Sequence, residues 1–219
     1  MKKLNFEVFG ITDVGIKKEI NQDSFVYKVV EAGDFCCGIF AVADGVGGLS
    51  KGEVASSIAI SCINKWWENN FKNNFENYEY LVSSLIQAVK EANNQILKFA
   101  ESKSIKMATT LSVMFLYKDS YFIIHIGDSR IYKINNSFSA KIIQLTEDHS
   151  TTVEKIQNGQ TVKRSVLTQY LGNKQEVEYS CYTEKIKKND YFLLCSDGIY
   201  KTQSNEIISK IFKENIKDI

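Results

Sequence analysis

The chain has 219 residues, of which 44% are hydrophobic and 24% charged, and its formal net charge at pH 7 is +1. This composition is that of a globular protein with a sizeable core, and the charge balance gives no general attraction to nucleic acid or to anionic membranes. No apolar stretch approaches the roughly 20 residues of a membrane-spanning helix, and the N-terminal sequence is not that of a signal peptide. We therefore expect no membrane association.

The five cysteines are odd in number and form no Cys-x-x-Cys pair. Cys36 and Cys37 are adjacent on a predicted strand, so their side chains point to opposite faces. Reduced thiols are the expected state, and the predicted location is the cytoplasm.

The first half of the chain predicts three strands followed by two helices. The strands fall at residues 4–11, 24–30 and 35–43. From Lys51 the apolar residues recur at helical spacing, and a second helix is predicted from about Tyr80 to Phe99.

The second half predicts strands at 109–117, 120–126, 130–134 and 140–145, a short helix at 150–158, strands near 176–186 and 190–196, and a final helix near 204–216. The short connections between the four central strands favour an antiparallel meander. Since strands and helices occur in blocks, the predicted class is α+β, with antiparallel sheets and helix pairs packed outside them. We expect a single domain over residues 1–219.

Four aspartates stand at predicted strand starts or ends, three of them beside glycine: Asp23, Asp44, Asp128 and Asp197. Carboxylates at strand ends suit Mg²⁺ and Mn²⁺, which take several oxygen ligands. Each aspartate alone is better explained as a turn residue. If the sheets bring all four together, the cluster needs cations.

These aspartates lie within seven ordered motifs: "TDVG…NQDSF", "FAVADGVGG", "MATTLSVM", "IGDSRIY", "QLTEDHS", "LTQYLG" and "LLCSDGIY". From about Thr12 to Tyr200 the sequence resembles the protein phosphatase 2C family of metal-dependent serine/threonine phosphatases, in its bacterial form. The resemblance implies a four-layer α/β/β/α sandwich of two antiparallel sheets flanked by helix pairs.

The resemblance also implies roles for the acidic residues. Asp44 would bridge two Mn²⁺ or Mg²⁺ ions, with Asp23, acting through water, and the Gly45 carbonyl on one ion. Asp197 would bind the second ion. A third, weaker ion would be shared between Asp128 and Asp197.

The implied activity is hydrolysis of phosphoserine and phosphothreonine in proteins by a metal-bridging water, opposing a serine/threonine kinase. No nucleophilic cysteine is needed for this reaction.

Three features depart from the family pattern. Lys18 stands where the family usually has a phosphate-binding arginine, and the adjacent Lys17 could replace it. The family's last strand, which opens with an Asp-Asn pair, has no counterpart before Ile219. The segment between "LTEDHS" and "LTQYLG" is short.

The remaining polar candidates have structural interpretations. His125 is expected to be a packed strand residue, and Asp148 with His149 to support a helix start. Arg130 is expected to pair with nearby carboxylates. Val46 stands where eukaryotic relatives often have a histidine.

Two other functions stay open at this point. A phosphatase-like binding or regulatory module with weakened catalysis is favoured by Lys18 and by the missing terminal aspartate. A two-metal nuclease would use similar carboxylates, but it should show a basic groove, and the sequence shows no clustered basic stripe.

Overall fold

A computed structural model describes residues 6–16, 18–32, 35–47, 49–71, 77–135, 142–157, 160–187 and 189–215. Within these ranges the chain forms ten strands and four helices. The strands are β1 (Asp23–Ala32), β2 (Phe35–Asp44), β3 (Leu111–Tyr117), β4 (Ser120–Ile126), β5 (Arg130–Asn135), β6 (Ile142–Gln144), β7 (Ser150–Gln157), β8 (Gln160–Leu167), β9 (Ser180–Lys185) and β10 (Asp190–Cys195). The helices are α1 (Gly52–Phe71), α2 (Tyr78–Lys103), α3 (Asp197–Tyr200) and α4 (Asn205–Asn215).

The largest sheet has five antiparallel strands in the order β1-β2-β3-β4-β9. Every residue of β3 is buried, which agrees with its uninterrupted apolar sequence. Alternate side chains of β3 enter two different clusters: Val113 and Phe115 belong to the larger one, and Met114 belongs to the smaller one. The five-stranded sheet is therefore covered on both faces.

Helices α1 and α2 cover one of these faces. Trp66 of α1 packs edge-on against Phe115 of β3, with ring centroids 5.3 Å apart, and its indole Nε1 donates to Ser84 Oγ of α2 at 2.8 Å. Helix α2 begins at a regular cap, because the Asn77 side chain accepts a hydrogen bond from the Tyr80 amide.

The other face packs against a second antiparallel sheet, ordered β10-β5-β6. The contact includes Tyr121 of β4 and Phe192 of β10, whose ring centroids are 5.1 Å apart. The neighbouring Tyr191 points away and packs edge-on against Phe212 of α4. The α+β class and the antiparallel sheets are confirmed, and the sequence of layers is consistent with a four-layer sandwich.

The predicted short helix at 150–158 is wrong. Its described residues form β7, which pairs with β8 in a separate two-stranded antiparallel sheet. The β-branched run Thr151, Thr152 and Val153 favours a strand. The sequence Asn158-Gly159 is a strong hairpin signal, although these two residues lie outside the described ranges.

The predicted strand at 4–11 is also wrong for its described part, residues 6–11. This segment is attached to β1 through a hydrogen bond from the Phe6 amide to the Glu31 carboxylate, but it forms no strand ladder. Phe9 and Ile11 are 85% and 77% exposed, so the apolar alternation here has no buried face to fill.

The predicted meander is interrupted between β4 and β5. Gly127, Asp128 and Ser129 carry the chain from the five-stranded sheet to the three-stranded one, and do not form a hairpin. Asp44 ends β2, Asp128 lies in this crossing, and Asp197 comes just after β10.

Candidate metal centre

Asp23 and Asp44 face each other at the end of one strand pair. They are the last partners in the antiparallel register of β1 and β2. Like charges directly opposite each other destabilise a sheet. This position therefore needs a proton, a hydrogen-bond donor or a cation between the two carboxyl groups.

The backbone of Asp44 is fixed from the neighbouring strand. Its amide donates to Thr110 Oγ1 at 2.9 Å, and its carbonyl accepts from the Thr110 amide and from Thr109 Oγ1, both at 2.9 Å. Thr110 Oγ1 also lies 2.7 Å from Ser129 Oγ. One threonine side chain thus links Asp44 to the crossing that carries Asp128.

Glycine is required directly after Asp44 because the backbone packs closely there. A Cβ on Gly45 would lie 2.4 Å from the backbone C and O of Gly52 at the start of α1. The Gly45 amide donates to the Gln22 carbonyl at 3.0 Å. The loop after β2 is therefore held against both the helix start and the residue before Asp23.

Asp128 is placed by a backbone shape that only glycine tolerates well. Gly127 has φ = +105°, and a Cβ on it would lie 2.6 Å from the Thr110 side chain. Asp128 is 7% exposed, and its carbonyl accepts a hydrogen bond from the Tyr200 hydroxyl at 2.9 Å.

Asp197 follows β10 and begins the single turn of α3. The preceding Ser196 donates a 2.6 Å hydrogen bond from Oγ to Asp23 Oδ2. This contact joins the end of β10 to the start of β1, although the two residues are far apart in the sequence. It brings Asp197 to the end of the strand pair that carries Asp23 and Asp44.

The electrostatics show that the four aspartates form one cluster. The pKa of Asp44 is raised well above its ordinary value, first by burial and then by the charges of Asp23, Asp197 and Asp128. The pKa of Asp128 is also raised, mainly by burial, and Asp197 adds to the effect. The charges of Asp23, Asp128 and Asp197 thus all act on Asp44, while the roles of these residues as metal ligands stay a prediction.

Lys201 lies among these carboxylates and was not predicted. Its Nζ is 2.5 Å from Asp197 Oδ2 and 3.6 Å from Asp128 Oδ2. Burial lowers the pKa of Lys201, but its contacts with the two aspartates raise it overall. The spacing of four residues from Asp197 is the signal that would have found this pair.

Lys18, the candidate for binding phosphate, is exposed and lies beside the loop after β2. Its Nζ is 3.3 Å from Gln22 Oε1 and 3.0 Å from where a Cβ on Gly47 would stand. The structure thus places Lys18 at the loop that follows Asp44 and Gly45. The alternative Lys17 lies outside the described ranges.

The expected pairing of Arg130 with a carboxylate is confirmed. Its Nη2 and Nε contact the Asp148 carboxylate at 2.7 and 2.9 Å, and its guanidinium stacks 3.5 Å from the centroid of the Tyr200 ring. Tyr200 also donates to the Asp128 carbonyl. Arg130 therefore supports the backbone around Asp128.

His125 is buried and packed, as predicted. Its ring nitrogens contact Ser112 Oγ and the Glu147 carbonyl, both at 2.9 Å, and its ring lies 4.7 Å from that of His149. Burial and the neighbouring His149 lower the pKa of His125 to about 4.

The prediction that Asp148 and His149 support a helix start is wrong, because the residues after them form β7. His149 instead accepts a hydrogen bond from the Gly127 amide.

The donor set fits a divalent ion at the Asp23, Asp44 and Asp197 end of the cluster. Carboxylate oxygens and a backbone carbonyl are the ligands that Mn²⁺ and Mg²⁺ prefer. Burial and the nearby aspartates raise the pKa of Asp44, so a further negative charge is disfavoured at this position when no cation is bound. Among the described residues, no group of three or more His, Cys, Asp or Glu side chains is arranged so that it could hold a metal ion without rearrangement. The carboxyl groups instead contact Ser196 and Lys201.

Comparison with known proteins gives one consistent result. A sequence model of the protein phosphatase 2C family matches residues 16–217. The serine/threonine phosphatase stp of Listeria welshimeri is 33% identical over 171 residues, which cover 74% of this chain and 66% of the relative. The protein phosphatase PhpP of Streptococcus pneumoniae is 29% identical over 219 residues, which cover 96% of this chain and 85% of the relative.

The fold is similar to that of solved phosphatase structures. The serine/threonine phosphatase PstP/Ppp of Mycobacterium tuberculosis superposes with a TM-score of 0.72 at 27% identity, covering 92% of this chain and 82% of that one. A structure of the PstP catalytic domain in complex with two manganese ions gives a TM-score of 0.67 at 26% identity, covering 92% and 81%.

Proposed function

Because the chain belongs to the protein phosphatase 2C family, we propose that it is a metal-dependent phosphatase that hydrolyses phosphoserine and phosphothreonine in proteins. The observation that carries this proposal is the meeting of Asp23, Asp44 and Asp197 at one end of the two sheets. The binding-module alternative has no comparable support, since the relatives named above are themselves phosphatases.

We propose that the Asp44 carboxylate, the Gly45 carbonyl and, through water, the Asp23 carboxylate hold one ion, and that Asp44 and Asp197 hold a second. Mn²⁺ is the first choice, because the PstP catalytic domain is known with two manganese ions, and Mg²⁺ is the alternative. Bound ions of this kind supply an acidified water as nucleophile and neutralise charge on the phosphoryl oxygens.

Residues around the site hold the proposed metal ligands in position. Thr110 and Gly45 fix the backbone of Asp44, and Ser196 orients the Asp23 carboxylate, so the ligands are held before any ion binds. Lys18 is exposed beside the same loop, and we propose that it holds a substrate phosphate. Its single charged group gives less orientation than the two-pronged guanidinium of arginine.

A cysteine-based phosphatase mechanism is disfavoured by the state of the thiols. Burial raises the pKa of Cys195 to about 12 and raises that of Cys37 further still. The thiolate is the nucleophilic form of cysteine. Neither group is therefore a ready nucleophile at neutral pH.

The same proposal includes a cellular location and a functional partner. We propose a cytoplasmic location, which is supported by five unpaired cysteines, and an opposing serine/threonine kinase as functional partner. Among the described helices, none has the length and apolar character needed to cross a membrane.

The test is hydrolysis of a phosphothreonine peptide by the purified chain, with and without Mn²⁺. We expect turnover that requires the ion and is lost in Asp44→Asn. The matched control is Asp119→Asn, which changes an exposed aspartate paired with Lys185 on another part of the sheet. Turnover that persists equally in Asp44→Asn, or after complete removal of the metal, would contradict the proposal.

A further inference from the structure

The Asp128 and Asp197 end of the cluster differs from the Asp23 and Asp44 end. The Lys201 ammonium lies between the two carboxylates, 2.5 Å from Asp197 and 3.6 Å from Asp128. The resemblance described above implied that a third ion would be shared by this same pair. One small region cannot hold both an ammonium group and a divalent cation without strong repulsion.

We infer that Lys201 is a built-in cation that occupies the position between Asp128 and Asp197, so that this chain binds no third divalent ion there. The inference rests on the metal centre proposed above and adds the role of a residue that sequence comparison of the aspartates alone does not reveal.

The local backbone holds Lys201 in place for this role. Residue 201 closes the single turn of α3, where its amide donates to the Asp197 carbonyl at 3.0 Å. The spacing of four residues places the lysine side chain over Asp197. The preceding Tyr200 is anchored by its hydroxyl on the Asp128 carbonyl and by its stacking with Arg130.

Lys201 and a divalent ion would compete for the same two carboxylates, those of Asp128 and Asp197. The pair is partly solvated, since the Lys201 and Asp197 side chains are 47% and 38% exposed, and an ion pair of this kind adds little to folding stability. A group tethered by a few bonds nevertheless acts at an effective concentration of roughly millimolar or more. A weakly bound ion between Asp128 and Asp197 would have to displace it, whereas none of the ion pairs found among the described residues involves Asp23 or Asp44.

The test counts Mn²⁺ ions bound per chain, by titrating metal-free protein and measuring free Mn²⁺ by electron paramagnetic resonance. We expect Lys201→Ala to bind one more ion at saturation than the unaltered chain. Lys201→Arg should keep the unaltered count, because the positive charge remains. Lys210→Ala should also leave it unchanged; this lysine forms the same type of pair with Glu214, at 3.9 Å on α4.

The added ion is assigned by a double variant. Combining Lys201→Ala with Asp128→Asn should remove the gain. An equal count in Lys201→Ala and the unaltered chain would overturn the inference, as would an ion in the unaltered chain that is lost in Asp128→Asn alone. If the unaltered chain bound no Mn²⁺ at all, the proposed metal centre itself would fail, and this inference with it.

Discussion

The two ends of the acidic cluster solve the same electrostatic problem in different ways. At one end Asp23 and Asp44 oppose each other across a strand pair, where the Ser196 hydroxyl contacts Asp23 and the Thr110 hydroxyl accepts from the Asp44 amide. At the other end Asp128 and Asp197 share a lysine. This difference supports the proposals of an exchangeable ion at Asp23 and Asp44 and of a lysine in place of an ion between Asp128 and Asp197.

The contacts that hold each aspartate in place also differ between the two ends of the cluster. Asp44 is held mainly by strand ladders and by threonine, which leaves its carboxyl group to contact other acids. The Asp128 crossing is supported by an internal polar network that includes Arg130, His125 and His149. Under the proposal above, the first end binds the ion, and the second end holds the backbone around Asp128 in place.

The largest effect that separates the two ends should come from Asp44→Asn. Turnover should fall by at least about 10³-fold, because removing a bridging ligand removes several kcal/mol of transition-state stabilisation. The metal-free variant should unfold at a temperature no lower than the unaltered chain, since the neutral amide relieves repulsion from Asp23. Phosphopeptide kinetics and thermal denaturation check the two parts. A marked loss of stability in the variant would show that the carboxylate is structural.

A second prediction concerns the pH dependence of stability at the Asp128 end. The pKa of His125 is about 4 in the folded chain, below its unfolded value of about 6.5, so protons bind more tightly to the unfolded state. The contribution of His125 to the free energy of unfolding is fully present above pH 6.5 and is lost as the pH falls towards 4. The free energy of unfolding should decrease by on the order of 3 kcal/mol over this range. Chemical denaturation at a series of pH values measures it. His125→Gln should show a correspondingly shallower decline over that range, and an unchanged decline would refute the assignment.

Thr110→Val tests the link between the two ends. The variant keeps the shape against Gly127 but leaves the Asp44 amide without its side-chain acceptor, which should cost about 1–3 kcal/mol of unfolding free energy. Denaturant titration gives this value, and Thr152→Val on the exposed β7 strand serves as the control. Equal effects of the two substitutions would mean that Thr110 does not link the ends.

The smallest effect is expected at Lys18. Lys18→Arg should improve kcat/KM for a phosphothreonine peptide several-fold, corresponding to about 1 kcal/mol, because the guanidinium binds phosphate through two donors. Lys18→Ala should lower kcat/KM chiefly by raising KM. If both variants behaved like the unaltered chain, Lys18 would not contact the substrate.

The sequence predicted the parts of this molecule that are determined by local periodicity. The apolar run of β3 and the helical stripe that includes Trp66 specify their elements directly. A cluster of the strand-end aspartates was only a conditional expectation, because their meeting depends on how the sheets pack. The sequence did not predict β7, although the β-branched residues Thr151, Thr152 and Val153 favour a strand. Nor did it reveal the contacts of Ser196 and Lys201, which depend on how β10 approaches β1 and on a single helical turn.

The most direct test of the metal centre is a crystal structure with Mn²⁺, using anomalous scattering at the manganese edge to locate the ions. We predict anomalous peaks among Asp23, Asp44, the Gly45 carbonyl and Asp197, and none between Asp128 and Lys201. Crystals with bound Mn²⁺ but no peak within coordination distance of Asp44 would contradict the account.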